Sequence, residues 1–302
     1  MNIPIELYQQ ILFKCDFLTQ IRFRCVCKLF HQKLEIYDFY HIDEEYVDKL
    51  SDENLLAYPF IRKLRANHNR NITDINHLIH LDVLDASGYC GIGNKGIANL
   101  NLRKLNTRFN RKITNVNHMS RLEVLNAEMN SGIGDEGIAK LNLKKLNANR
   151  NEKITKINHM TNLQVLYARE DSGINDQSIA NLNLRKLDAS ANSTITNVNH
   201  MTNLEILYAE DRCGIDDNGI SNLNLKELYA CCNRSISNVK HMSRLEVLGA
   251  GIFCAINPEK IPPGIIFREI CVCCNEKLEE AIISRGCTMK PLRITCACNW
   301  RR

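Results

Sequence analysis

The chain has 302 residues, of which 44% are hydrophobic and 24% charged, a balance that fits a folded protein and excludes an intrinsically disordered one. Its net charge of +5, from 39 basic and 34 acidic residues without a basic tail, argues against nucleic acid as a partner. No run approaches the roughly 18 apolar residues of a membrane span, and the start lacks the basic-then-apolar pattern of a secretory leader. The 14 cysteines therefore read as reduced thiols of an intracellular protein, in cytoplasm or nucleus, packing mostly as small hydrophobes.

Residues 1–40 do not repeat. Pro4 suits the first turn of a helix. Apolar residues at Leu7, Ile11 and Leu12, and again at Val26, Phe30 and Leu34, fall at helical spacing. Three short helices barely make a core, so part of this apolar surface is expected to face outward. Pro4-x-Glu6-Leu7, the Ile11-Leu12 pair, Leu18-x-x-Ile21-x-Phe23 and Val26-Cys27-Lys28-x-Phe30 together resemble the F-box in order and spacing. The resemblance implies docking on a Skp-type adaptor through Pro4, Leu7, Ile11, Leu12, Ile21, Val26, Cys27 and Lys28.

From residue 41 onward the chain is periodic. Leu64, Leu105, Leu146, Leu187 and Leu228 stand 41 residues apart, and Leu84, Leu125, Leu166, Leu207 and Leu248 interleave with the same step. Ten units of about 20 residues follow, in two alternating kinds. One carries Asn69, Asn110, Asn151, Asn192 or Asn233 five places after its framework Leu, and the other carries Gly-Ile-Gly-Asp-x-Gly-Ile or a variant of it. A Leu-x-small stretch predicts a short strand with alternate residues inward, and stacked units share the core that one unit cannot bury alone. Asparagine is heavily used, with 36 residues. An Asn where the chain leaves the strand can bond the backbone of its own turn and its neighbour, which predicts an asparagine ladder.

Both kinds of unit resemble leucine-rich repeats, the second being most similar to the cysteine-containing subclass, with Cys90, Cys213 and Cys254 where sister units have Ser131 and Ser172. Terminal units are degenerate: Leu50 to Leu55 echoes Ile133 to Ile138, Arg268 to Asn275 aligns with Lys226 to Asn233, and Ile294 to Asn299 forms a last unit. Pro258, Pro262 and Pro263 mark a loop between units. The expected fold is an α/β solenoid, a leucine-rich-repeat horseshoe with a parallel concave sheet, preceded by a small all-α F-box module. The expected boundaries are 1–40 for the F-box, 41–63 for a degenerate first unit, 64–257 for regular units and 258–302 for degenerate units or a cap. The combination resembles F-box/leucine-rich-repeat proteins, and is similar to those of giant amoeba-infecting viruses, in which case the cell would be the host's.

Several constellations have structural explanations. His77, His118, His159, His200 and His241 are each two layers apart, about 10 Å, too far for one ion at about 2 Å per bond. They read as a repeated structural feature. Two places before each framework Leu the charge alternates, from Arg62 and Asp82 to Lys226 and Glu246, with Gln164 the neutral rung. This predicts a solvated ladder. Cys271, Cys273, Cys274, Cys287, Cys296 and Cys298 crowd the end without paired Cys-x-x-Cys spacing, so no metal is assigned. No phosphate loop, nucleophile elbow or HExxH occurs, and no cofactor is expected.

The resemblance implies a non-enzymatic substrate receptor of an SCF-type ubiquitin ligase, linked through its adaptor to a cullin. Its target is a protein whose identity the sequence does not carry. An interaction scaffold whose helices only cap the solenoid, and an RNA-binding repeat protein, are the alternatives. Framework residues are the same in every unit and cannot discriminate partners. The flanking places do vary, and Arg108, Phe109, Glu128, Tyr167, Arg169, Tyr208, Glu210 and Tyr229 are the expected target contacts, tyrosine and arginine being frequent interface anchors.

Overall fold

The computed structural model describes residues 4–250, 254–268 and 288–289. The chain forms two compact units, 1–141 and 142–302. In the first, three helices, α1 (Ile5–Leu12), α2 (Phe17–Arg24) and α3 (Lys28–Lys33), precede a parallel sheet. Its strands are β1 (Asp38–Phe39), β2 (Lys63–Arg65), β3 (Val83–Asp85), β4 (Lys104–Asn106) and β5 (Val124–Asn126). They pair in sequence order with Phe39, Leu64, Leu84, Leu105 and Leu125 in register. Helical turns follow every second strand: α4 (Glu44–Val47) and α5 (Asp52–Leu55) between β1 and β2, a 3₁₀ turn at Asn94–Ile97 between β3 and β4, and α6 (Asp135–Ile138) after β5.

The second unit continues the pattern. Its strands are β6 (Lys145–Asn147), β7 (Val165–Tyr167), β8 (Lys186–Asp188), β9 (Ile206–Tyr208), β10 (Glu227–Tyr229), β11 (Val247–Gly249), β12 (Ile266–Arg268) and β13 (Thr288–Met289). They too pair parallel in sequence order, with α7 (Asp176–Ile179) and 3₁₀ turns at Asn218–Ile220 and Pro258–Lys260 between them. Each framework Leu from Leu64 to Leu248 is buried, as is the residue two places on, such as Ala86, Thr107 or Ala209. A three-residue strand can turn only its central side chain and the next alternate one inward, so Leu-x-small is the whole contribution of each coil's strand to the core.

Two ends differ from the sequence expectation. The first strand contains Phe39, one residue before the expected boundary, because Leu34, Ile36 and Phe39 are all buried and begin the core. At the other end Leu248 pairs with Phe267 and Phe267 with Met289. The expected alignment on Ile270 and Ile294 is thus displaced: the turn at Pro263-Gly264, where Gly264 has φ 79, delivers the apolar Ile265-Ile266-Phe267 run to the sheet first. The six C-terminal cysteines lie outside the described residues.

The asparagine ladder is present. Asn110 Nδ2 donates to Ala86 O at 2.7 Å and Ile92 O at 3.1 Å, both in the preceding coil, while its Oδ1 accepts from Lys112 N and Ile113 N of its own turn. Asn192 and Asn233 repeat the donor pair on Ala168 and Ile174, and on Ala209 and Ile215. Each carboxamide is buried and saturated. One ladder does not account for the asparagine excess, however; among the described residues two more run beside it. Asn76, Asn117 and Asn199 donate to the helical turn of the next coil and accept from the backbone N–H that leaves it. Asn101, Asn183 and Asn224 bond the Ser or Thr hydroxyl and a following N–H of the next coil.

A fourth inter-coil contact was not expected. The carboxylates of Asp52, Asp176 and Asp217 accept N–H and O–H from Thr73, Thr196 and Ser237 one coil on. Asn94 accepts the corresponding N–H of Thr114 at 2.8 Å. Three of the five histidines have the expected structural role: His118, His200 and His241 bond Ile97 O, Ile179 O and Ile220 O at 3.0–3.2 Å through Nε2, whereas His77 Nε2 is buried without a hydrogen bond among the described residues. The glycine-rich segment is a helical turn, and Gly137 is required there because a Cβ would lie 2.1 Å from Thr114 O.

The charge ladder is realised in part. Glu205 is 2.9 Å from Arg185 and 3.3 Å from Lys226, whereas Asp82 pairs with Arg121 at 3.1 Å, a long guanidinium reaching in from a neighbouring row. Gln164 keeps its register through the backbone, its N–H donating to Lys144 O and its carbonyl accepting from Arg185 and Lys186, so a neutral rung is tolerated.

Two outcomes are expected. Asn110→Ala strands two carbonyls and two N–H groups in the core, and lowers stability by about 3 kcal/mol or more, read as a lower urea midpoint. At Asp217 burial raises the carboxyl, but hydrogen bonds from Ser237 and Asn238 outweigh it and hold its pKa below 3.8. The unfolded chain then binds that proton more readily, so the stabilisation is present above the ordinary carboxylate value and is lost as pH falls through the lowered one. Asp217→Asn should melt below wild type near neutral pH, and the gap should narrow toward about pH 3.

Candidate functional site

Two surfaces on the described residues offer binding chemistry. The first is on the helical module. Asp16 caps α2 by accepting Thr19 N at 3.0 Å, and Cys27 caps α3 through its sulfur, 3.5 Å from Phe30 N. The inner face is aromatic: Tyr8 packs on Phe30 with ring centres 4.7 Å apart, and Phe23 stacks on Phe30 at 5.1 Å. Phe17 meets Phe39 of β1 edge-on at 5.0 Å, and Gln9 bonds both the N–H and the carbonyl of Glu35. The helices are thus welded to the first coil and share its core.

With Tyr8 and Leu12 turned inward, the next face of α1 must point out. Ile11 is 49% exposed and Val26 67% exposed, and Leu7, Phe13 and Leu29 are exposed with them. Pro4, Cys27 and Lys28 are also exposed and Ile21 is half-buried. Leu12 departs from the expectation: it is 0% exposed and belongs to the core, being one turn on from Tyr8 on the buried side. Phe13 and Leu29 were not foreseen, since their spacing matches no family motif and only the packing of α1 and α3 turns them outward.

The second surface is the open face of the sheet. In the first unit, Arg108 lies 3.7 Å from Glu128 and its guanidinium 5.2 Å from the Phe109 ring centre. Phe109 sits at φ 60, a left-handed conformation that costs a bulky residue about 1–2 kcal/mol. In the second unit, Tyr208 and Tyr229 stack at 4.2 Å with planes 3° apart. Tyr229 is only 4% exposed: it lies over Gly249, where a Cβ would approach its ring to 2.6 Å, and its hydroxyl donates to Glu227 at 3.0 Å. It supports Tyr208 and is not itself a surface contact. Arg169 lies 3.7 Å from Asp188. Burial raises the Asp188 carboxyl, and Arg169 and Ser190 offset this only partly. Glu210 is half-buried beside these residues.

Sequence reasoning missed Lys145 and Lys186. The Lys145 ammonium lies 5.1 Å from the Tyr167 ring centre, and Lys186 lies 5.7 Å from the same ring and 4.8 Å from Tyr208. The signal was available: Lys63, Lys104, Lys145 and Lys186 recur one place before the framework Leu at the 41-residue step. Cys90 and Cys213 are pushed up to about 11 and about 12 by burial, which leaves them inert thiols of the core. Among the described residues no three His, Cys, Asp or Glu side chains converge on a common point, and no helix is long and apolar enough to cross a membrane.

Residues 1–42 match the F-box domain family. No curated protein matches the chain. Among solved structures the chain is similar to an internalin, inlF, from Listeria monocytogenes str. 4b F2365, with a TM-score of 0.53 and 20% identity over 73% of this chain and 71% of that one. It is also similar to TLR13 in its complex with ssRNA13, with a TM-score of 0.45 and 17% identity over 70% and 36%. A third likeness is to the functional domain of InlJ from Listeria monocytogenes, with a TM-score of 0.34 and 15% identity over 72% and 55%. The likeness to the first is one of fold, that of the leucine-rich-repeat solenoid.

The two sides of α1 separate binding from folding. Leu12→Ala empties a fully buried site and should cost about 2–5 kcal/mol. Ile11→Asp, at a half-exposed place, should shift stability by about 0.5 kcal/mol or less. Thermal melts of the two variants beside wild type check this.

Proposed function

We propose that this chain, an F-box domain joined to a leucine-rich-repeat solenoid, is the substrate receptor of an SCF-type ubiquitin ligase. In this reading the module docks on a Skp-type adaptor that links it to a cullin, and the open face of the sheet holds the target protein. The chain carries out no chemistry; it supplies proximity between the target and the transferring enzyme. It works inside the cell, where that machinery is found.

The observation that carries the reading is the division of labour within the helices. The inner aromatic face is consumed by the core and the contact with β1, yet Leu7, Ile11, Val26 and Leu29 stay exposed. A module that served only to cover the end of a solenoid would gain nothing from a second apolar face, which favours association when buried by a partner. The contact of Phe17 with Phe39 favours a second reading, in which the helices are an end cap of an interaction scaffold.

Binding of the full chain to a purified Skp-type adaptor separates the two. Ile11→Asp should weaken the complex at least tenfold, about 1.4 kcal/mol, with the melting curve unchanged. Equal binding by wild type and Ile11→Asp, or none by either, leaves the capping reading.

A further inference from the structure

We infer that the open face of the sheet in the second unit is a receptor for an extended acidic peptide segment of the target, one that places two carboxylates about 10 Å apart. This rests on the reading of that face as the target-holding surface and is independent of the adaptor contact.

Five successive strands present a cation–aromatic alternation: Lys145 on β6, Tyr167 on β7, Lys186 on β8, Tyr208 on β9 and Tyr229 on β10. Tyr167 has a lysine against it from each side, and Lys186 lies between two rings. Tyr208 is itself held by the parallel Tyr229 ring, which is seated on Gly249. Aromatic faces attract an ammonium without neutralising it, so the stack holds two flexible side chains in place while leaving their charge and N–H donors to a ligand. Among the described residues neither ammonium forms an ion pair, in contrast to Lys63 with Asp38 at 2.9 Å and Lys226 with Glu205 at 3.3 Å. Asp188, on the same strand as Lys186, is buried and engaged by Arg169 and Ser190, with Lys186 contributing only electrostatically and without an ion pair.

Spacing defines the ligand. Lys145 and Lys186 stand two strands apart, about 9.6 Å at the usual interstrand distance. In an extended polyproline-type segment, residues i and i+3 share a face and are separated by about 9.3 Å. Two acidic residues at that spacing would reach the two ammoniums, and the residues between them would lie over the tyrosine rings. A nucleic acid fits this face less well, because its unbroken row of phosphates would also meet Glu227, which sits next to the stack and carries its own Tyr229 hydrogen bond.

The test is fluorescence anisotropy of the full chain with labelled proline-rich peptides carrying two glutamates at i and i+3, two glutamines at the same places, or two adjacent glutamates. At low ionic strength the spaced glutamate peptide should bind about tenfold tighter than the glutamine peptide and several-fold tighter than the adjacent-glutamate one. Lys145→Met and Lys186→Met should each remove part of that preference, and the double variant all of it. Equal binding of the glutamate and glutamine peptides by wild type overturns the inference, a comparison that needs no variant to fold. A preference surviving in the folded double variant overturns it as well, and tighter binding of an oligothymidylate than of the acidic peptide assigns the face to nucleic acid instead. No adaptor is present in the assay, so its failure leaves the ligase reading standing, and loss of adaptor binding leaves the peptide result standing.

Discussion

Every coil of this solenoid must bend sharply after a three-residue strand, and the bend turns backbone carbonyls into the core. The buried asparagines answer them. The carboxamide of Asn110 or Asn233 has two donors and one acceptor oxygen, and all are used: the donors on two carbonyls of the preceding coil, the oxygen on N–H groups of its own turn. No apolar residue of similar size could replace it, because each buried backbone group left unpaired costs about 1–3 kcal/mol. Stacking in register follows, since each Asn reaches its carbonyls only when neighbouring coils lie at one spacing. The Asp-to-Thr contacts and the outer asparagine rows repeat the same device nearer to solvent.

With register held by side chains that point inward or backward, the residues on either side of each framework Leu carry little structural duty. That freedom permits Lys145, Tyr167, Lys186, Tyr208 and Tyr229 to form an ordered stack across the sheet. The stack is supported from one end, where Gly249 leaves room for the Tyr229 ring. A binding surface on rigid, mutually supported rings loses less entropy on association than one on free surface side chains.

The helical module solves a different problem. A solenoid's first coil exposes its core, and Leu34, Ile36, Phe39 and Phe17 close it. The same helices keep an outward apolar face, so the cap and the face proposed to dock an adaptor belong to one structure. This couples them: a change that loosens Phe17 or Phe39 would disturb both, whereas Leu7, Ile11 and Val26 lie outside the shared core.

Much of this was legible in the residues. The 41-residue step, the inward Leu-x-small triplet, the buried Asn and the helical spacing of the first residues follow from periodicity, because a repeated backbone environment imposes the same side chain each time. Periodicity is silent where the environment is not repeated. It could not say that Phe39 begins the sheet, that Phe267 is the residue paired with Leu248, or which of the neighbours Ile11 and Leu12 turns outward, since those depend on a backbone path that does not repeat. Nor could it tell that Tyr229 is buried beneath Tyr208, or that two lysines lie against tyrosine faces. Those contacts join residues on different strands, and only the lateral stacking of the coils brings them within van der Waals reach.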